Sequence, residues 1–255
     1  MITSRSNPLI KQVQALRQRK TRNETALFLV EGIHPVGEAV EAGWEIKSIL
    51  YSPEILKSNY ALDLISHGSA NLQPVDSQIM EYLSDKENPQ GILAVVHQKT
   101  INLVDVTSIQ KGVALVSPQD PGNVGTILRT IDAVNADVLF LLDGGVDPFH
   151  PTSVRASMGT IFWIPIVKTS FVEFVEWTRT KGKRIIGTSA HAEPSYRKIN
   201  SNTPWILLLG SEQKGLTVEQ TKSCDELVSL PMNGRASSLN LAVAAGIFLY
   251  QLTEV

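Results

Sequence analysis

The sequence predicts an α/β protein in two parts, and three observations carry that prediction. Strand-length apolar runs alternate with helical segments along the chain. Several of those runs, ILLLG after Trp205 among them, contain no charge, as a parallel sheet covered on both faces requires. The chain has 255 residues, enough for two modest domains at roughly 100 to 200 residues each.

The first part begins with a helical pattern, Leu9, Val13 and Leu16 on one side, that leads into the apolar run 26–30. Further strands are expected at 46–51, 72–75 and 92–96, with helix-like stretches at 35–42, 53–66 and 76–83 between them. Periodicity weakens over 97–110, which is where the linker is expected, giving domains 1–104 and 105–255. The second part opens with a strand at 113–116, a helix at 123–134 and a strand at 138–142. Strands follow near 163–167, 184–188, 205–209 and 227–230, and a helix at 238–252 closes the chain. That helix is apolar on every side, which predicts burial all round.

Hydrophobic residues make up 43% of the chain and charged residues 19%, a globular composition that argues against disorder. One cysteine, Cys224, allows no internal disulfide, so the chain reads as cytoplasmic. No secretory h-region opens it, and the apolar run 241–250 falls short of the ~20 residues of a membrane span. The net charge of −2 gives no bulk case for nucleic acid, but its distribution is uneven. Arg5, Lys11, Arg17, Arg19, Lys20 and Arg22 precede the first acidic residue, Glu24. Such a run is either a solvated helix face or a phosphate-binding one.

Three loops of the second part follow predicted strands, where open α/β sheets bind ligands. In Ser117–Thr130, Pro121 and Gly122 mark a turn, Asn123 could cap the next helix, and Arg129 lies off its apolar stripe. Arg129 is equally a solvated helix arginine on position alone. The loop GSEQKGLT approaches the phosphate-binding P-loop, but Leu216 stands where that motif places lysine, which disfavours an NTPase. Glu212 there is a helix-start carboxylate or a site residue. In LPMNGRASSLN, Ser237 or Ser238 can cap the last helix, and Ser238 and Asn240 stand at its mouth as caps or as substrate contacts. Other chemistries lack their signals. His34, His67, His97, His150 and His191 have no metal-ligand spacing, so no metal is expected, and neither G-x-S-x-G nor G-x-G-x-x-G occurs.

Taken together, N-x-G-x-I-x-R at 123–129, L-G-S-E-x-x-G-L at 209–216 and P-M-x-G-x-x-x-S-L-N at 231–240 resemble the three motifs of the SpoU (TrmH-like) branch of the SPOUT RNA methyltransferases. The stretch NPLIKQVQALRQRKTRNETALFLVEG resembles the substrate-binding domain that many of them carry. The resemblance implies an α/β knot of mainly parallel strands threaded as a trefoil, a smaller N-terminal RNA-binding domain, and a homodimer formed through the C-terminal domain. It implies methyl transfer from S-adenosylmethionine to a ribose 2′-hydroxyl of RNA, with rRNA favoured over tRNA. Carried over by motif, Leu209, Gly210, Leu230, Met232, Ser238 and Leu239 would hold the cofactor. Arg129, Asn123, Glu212, Ser238 and Asn240 would serve catalysis, and Arg17, Arg19, Lys20 and Arg22 would meet RNA. A guanidinium keeps its proton in proteins, so Arg129 is expected to grip a phosphate and steady a developing alkoxide instead of acting as a base. Two other classes remain at this point: a non-catalytic RNA-binding or ribosome-assembly protein on the same fold, and a small-molecule-binding α/β domain unrelated to RNA.

Overall fold

The computed structural model describes residues 1–67, 71–189, 192, 199 and 201–253. In chain order the first half runs α1 (Pro8–Ala15), α2 (Arg19–Thr25), β1 (Leu27–Glu31), α3 (Ile33–Glu41), β2 (Ile46–Tyr51), α4 (Asn59–His67), β3 (Asn71–Pro74), α5 (Ser77–Leu83) and β4 (Ile92–His97). The second half runs β5 (Lys111–Val116), α6 (Pro121–Ala133), β6 (Val138–Leu142), α7 (Pro151–Ala156), β7 (Ile166–Thr169), α8 (Phe171–Thr180), β8 (Arg184–Thr188), β9 (Trp205–Leu209), α9 (Val218–Lys222), β10 (Glu226–Val228) and α10 (Leu241–Thr253).

Two compact units result. The first comprises Met1–Lys99 and Asp147–Trp163, the second Thr100–Val146 and Ile164–Val255. A single cut at residue 104 does not anticipate the return of 147–163 to the first unit. The physical reason is the period of β1. Leu27 and Leu29 face the core formed with Ile10 and Val13 of α1 and Ile79, Met80 and Leu83 of α5. Successive side chains of a strand point to opposite faces, and Phe28 accordingly turns away to meet Phe149 at 4.7 Å and Phe162 at 6.3 Å between ring centroids. Trp44 completes this aromatic cluster and donates its indole N–H to the Phe162 carbonyl at 2.9 Å. The sheet beneath has the order β1-β4-β2-β3 and is mixed, with β2 and β3 parallel and β4 antiparallel to both of its neighbours.

The second unit is a six-stranded sheet in the order β10-β8-β9-β5-β6-β7, parallel throughout. β6 and β9 are buried along their whole length, which matches their uncharged sequences VLFLL and WILLL. One face, with Ala114, Phe140, Ile206 and Leu208, packs on Phe174 and Trp177 of α8. The chain leaves β5 toward β6 and β7 and then resumes on the other side of β5 with β8 and β9. That reversal creates a switch point at the carboxyl ends of β5 and β9, the position where open parallel sheets form ligand crevices.

The last helix departs from its expected burial. Leu241, Ala242, Ala245, Phe248, Leu249 and Leu252 of α10 are buried, but Val243, Ile247 and Tyr250 are 51%, 37% and 45% exposed. Spaced by four and then three residues, these form one apolar stripe that this chain alone leaves uncovered. No helix among the described residues is long and apolar enough to cross a membrane.

Candidate active site

At the switch point, the segments after β5, β9 and β10 meet. α6 starts with Asp120 as its N-cap, the carboxylate accepting from the Gly122 N–H at 2.7 Å, and Pro121 fills the first helical turn, where its missing N–H costs nothing. Asn123 is therefore not the cap. It lies one turn in, 7% exposed, with its amide committed sideways. Its Nδ2 donates to Glu212 Oε1 at 3.3 Å, and its Oδ1 accepts from Asn240 Nδ2 at 2.9 Å. Glu212 also accepts from the backbone N–H groups of Gln119 at 3.1 Å and Asp120 at 3.4 Å, so a carboxylate stands at the positive end of α6 although it belongs to a different loop. Asn240, and neither Ser237 nor Ser238, caps α10, its Oδ1 accepting from Ala242 N at 2.9 Å and Val243 N at 3.3 Å. One chain of side-chain bonds, Glu212 to Asn123 to Asn240, thus joins loops separated by 89 and 117 residues.

Beside this chain opens a cavity of about 600 Å³, within the ~300–1,000 Å³ usual for small-molecule sites. Leu209, Gly210, Leu230, Met232, Ser238 and Leu239 all line it, as do Asn123, Glu212 and Asn240. Its lining also includes residues that sequence reading did not single out: Thr188 at the end of β8, Ser189 after it, and Ala244 and Phe248 of α10. Thr188 and Ser189 carry no motif, and sheet order alone brings β8 alongside β9. Gly210 is dictated by close approach. A Cβ there would lie 2.1 Å from the Gly215 carbonyl carbon and 2.4 Å from the Leu216 nitrogen, inside the turn closed by the Gly215 N–H to Ser211 carbonyl bond. Leu216, where a P-loop would hold lysine, packs instead against the sheet core.

Arg129 does not line the cavity. It is exposed on α6, off the buried stripe of Val124, Ile127, Leu128 and Ile131, and it makes no hydrogen bond or ion pair with the described residues. Cys224 is unsuited to nucleophilic work, since burial, with Asp225 adding to it, pushes its thiol up to about 11. Among the described residues no group of three His, Cys, Asp or Glu side chains gathers as a metal site would require; His191 lies outside those residues.

The convergence of the three loops agrees with what comparison of the whole chain reveals. The sequence pattern of the SpoU rRNA Methylase family matches residues 110–250, and that of an MRM3-like substrate binding domain matches residues 7–94. The chain belongs to the SpoU rRNA methylase family. A 23S rRNA (uridine(2479)-2′-O)-methyltransferase of Streptomyces viridochromogenes is 35% identical over 98% of this chain and 90% of its own length. A 23S rRNA (guanosine(2553)-2′-O)-methyltransferase of Bacillus subtilis is 32% identical over 98% of both. The crystal structure of an AdoMet-bound rRNA methyltransferase from Sinorhizobium meliloti superposes with a TM-score of 0.90 at 36% identity, covering 99% of this chain and 97% of that one.

Within this SpoU chain the N-terminal basic run separates into two kinds of residue. Arg19 and Lys20 are exposed on α2, Lys20 lying 3.8 Å from Glu24 one turn on. Arg22 is a correction to the expected RNA contacts. Its side chain is 1% exposed, Nε donates to Asp147 Oδ2 at 2.8 Å, and Nη1 donates to the Leu16 and Arg17 carbonyls at 3.0 and 2.8 Å. A guanidinium so enclosed, with three of its five N–H donors committed inside the first unit, is not presented to a phosphate. Arg17 is partly withdrawn as well, being paired with Asp85 and bonded to the Leu83 carbonyl at 2.8 Å.

Proposed function

We propose that this chain transfers a methyl group from S-adenosylmethionine to a ribose 2′-hydroxyl of rRNA in the cytoplasm, as a homodimer. The observation that carries this reading is the side-chain chain Glu212–Asn123–Asn240 at the mouth of a cavity of about 600 Å³ built from three motif loops. The cavity fits the cofactor in size and in chemistry. Leu209, Leu230, Met232 and Leu239 offer apolar surface for a nucleoside and a thioether, while the hydroxyls of Ser211 and Ser238 and the loop backbone offer polar partners. When bound, S-adenosylmethionine supplies an electrophilic methyl group on a sulfonium. The trefoil threading implied by the motifs is part of the same proposal, since residues of the loops after β9 and β10 both line the cavity.

The residues divide the remaining work. Asn123 and Asn240 hold one another in a single rotamer each, so the mouth is preorganised before RNA arrives. Glu212, fixed by two backbone N–H groups and by Asn123, keeps the start of α6 in register with the loop after β9. Arg129 must reach the reacting sugar from outside the cavity, and a second copy docked on the exposed stripe Val243, Ile247 and Tyr250 is the means. There its planar donors grip the phosphate next to the target ribose and stabilise negative charge on the 2′-oxygen as its proton passes to a phosphate oxygen or to water; the O–CH3 bond forms as the S–CH3 bond breaks, and S-adenosylhomocysteine leaves. The ribosomal assignment is supported by the full-length match to rRNA enzymes, which includes the substrate-binding segment 7–94.

Ribose-methylation mapping of total RNA from cells with and without the gene tests the reading. A 23S rRNA position is expected to lose its 2′-O-methyl group without the gene and to regain it when purified protein and S-adenosylmethionine are added. An unchanged rRNA map with a lost tRNA mark would overturn the ribosomal assignment, and no lost ribose mark would overturn the activity.

A further inference from the structure

We infer that Lys214 binds the carboxylate of the amino-acid end of S-adenosylmethionine; this rests on the function proposed above and assigns a cofactor contact to a variable position of the second motif. Among the described residues lining the cavity, Lys214 is the one cation. The cavity's one carboxylate, Glu212, is not paired with it; its oxygens accept instead from the amides of Gln119 and Asp120 and from Asn123. Lys214 itself makes no ion pair or side-chain hydrogen bond with the described residues.

Its place on the wall is set by backbone geometry. The Lys214 N–H lies 3.3 Å from Ser211 Oγ, and the turn closes through Gly215 at φ +64° and the bond from Gly215 N–H to the Ser211 carbonyl at 2.9 Å. The lysine is thereby held four residues past Gly210, with four flexible methylenes to carry its ammonium. A ligand with a sulfonium, an ammonium and a carboxylate enters a site whose lining is apolar or neutral polar apart from Glu212 and Lys214. Its one anionic group needs a cationic partner, since an unpaired carboxylate at a partly enclosed site loses solvation without compensation. Lys214 meets that need with a point charge of variable reach, which suits a mobile aminocarboxypropyl tail.

The test compares S-adenosylmethionine with its decarboxylated form by isothermal titration calorimetry, on the wild-type chain, Lys214→Met and Lys214→Arg. Because the lysine is solvent-exposed, its pair is screened, and Lys214→Met is expected to weaken S-adenosylmethionine binding by roughly three- to tenfold. Decarboxylated S-adenosylmethionine should bind Lys214→Met and wild type alike, and Lys214→Arg should recover most of the loss. Equal affinity of wild type and Lys214→Met for S-adenosylmethionine would overturn the inference, as would equal losses for the two ligands. An unchanged calorimetric affinity with weaker rRNA retention by Lys214→Met would overturn it in favour of a phosphate contact. A wild-type chain that binds neither ligand would remove the proposed function itself.

Discussion

Arg22 carries the same charge as Arg19 and Lys20, three positions or fewer away, yet only the pairing with Asp147 decides what it does. Both members of that pair are nearly sealed from water, at 1% and 3% exposure. Removing one leaves an uncompensated buried charge, a change that costs ~3–5 kcal/mol. Arg22→Ala is therefore expected to lower the first unit's unfolding free energy, measured by urea titration, by that amount, whereas an Arg19→Ala, Lys20→Ala double variant should leave it within ~0.5 kcal/mol and weaken rRNA binding instead. Near-native stability of Arg22→Ala would contradict the structural role assigned here. Sequence could not separate these arginines, because the partner lies 125 residues downstream in a stretch whose return to the first unit has no local signal. At Arg129 the offset from Val124, Ile127 and Leu128 left two readings, a side chain pointing into the crevice or a solvated helix arginine; the structure has it exposed and outside the cavity lining.

Among elements, legibility followed burial. Strands 46–51, 138–142, 184–188 and 205–209 coincide with the expected limits because each is an apolar run cut off by turn or charged residues. α2 and α9, seven and five residues of mainly polar sequence, have no apolar period to reveal them. α8 carries a signal in its sequence, the capping box of Ser170 and Glu173 ahead of Phe174 and Trp177. The loop after β9 was legible as a motif but not in its tightness. Gly210→Ala must push the Gly215–Leu216 backbone away, and calorimetry should show at least a tenfold loss of S-adenosylmethionine affinity with little change in the thermal midpoint. α7 supplies a pH-dependent element. Its N-cap is His150, whose Nδ1 accepts from Thr152 N at 3.2 Å and so requires the neutral ring. Burial, then the charge of Arg22 with a lesser part from Arg155, holds this imidazole below its ordinary range against the opposing pull of Asp147 and Asp85. The folded state therefore binds fewer protons than the unfolded one, and stability is lost as pH falls through about 6.5. In His150→Asn, which keeps a capping oxygen and cannot titrate, the difference in unfolding free energy between pH 7 and pH 5 should shrink; an identical pH profile would contradict the assignment.

For the whole molecule, the decisive feature is that Arg129 stands outside the cavity its motif serves. If two copies complete each other's sites, a chain lacking Arg129 and a chain with a blocked cavity each fail alone but assemble one intact site together. Mixing Arg129→Ala with Gly210→Ala after reversible dissociation should restore about a quarter of wild-type turnover, from half the dimers with one of two sites intact. Arg129→Lys should not substitute for the arginine, because a point charge lacks the planar fork that grips a phosphate. Three distant turns thus fold into one pocket that delivers a methyl group to a sugar oxygen. The most direct measurement uses purified protein, S-adenosylmethionine labelled in its methyl group and 23S rRNA, followed by alkaline hydrolysis. Label retained in alkali-resistant dinucleotides, and abolished in Asn123→Ala and Arg129→Ala, is the result predicted. Label released in mononucleotides, which places the methyl group on a base, or no label in RNA at all, would contradict it.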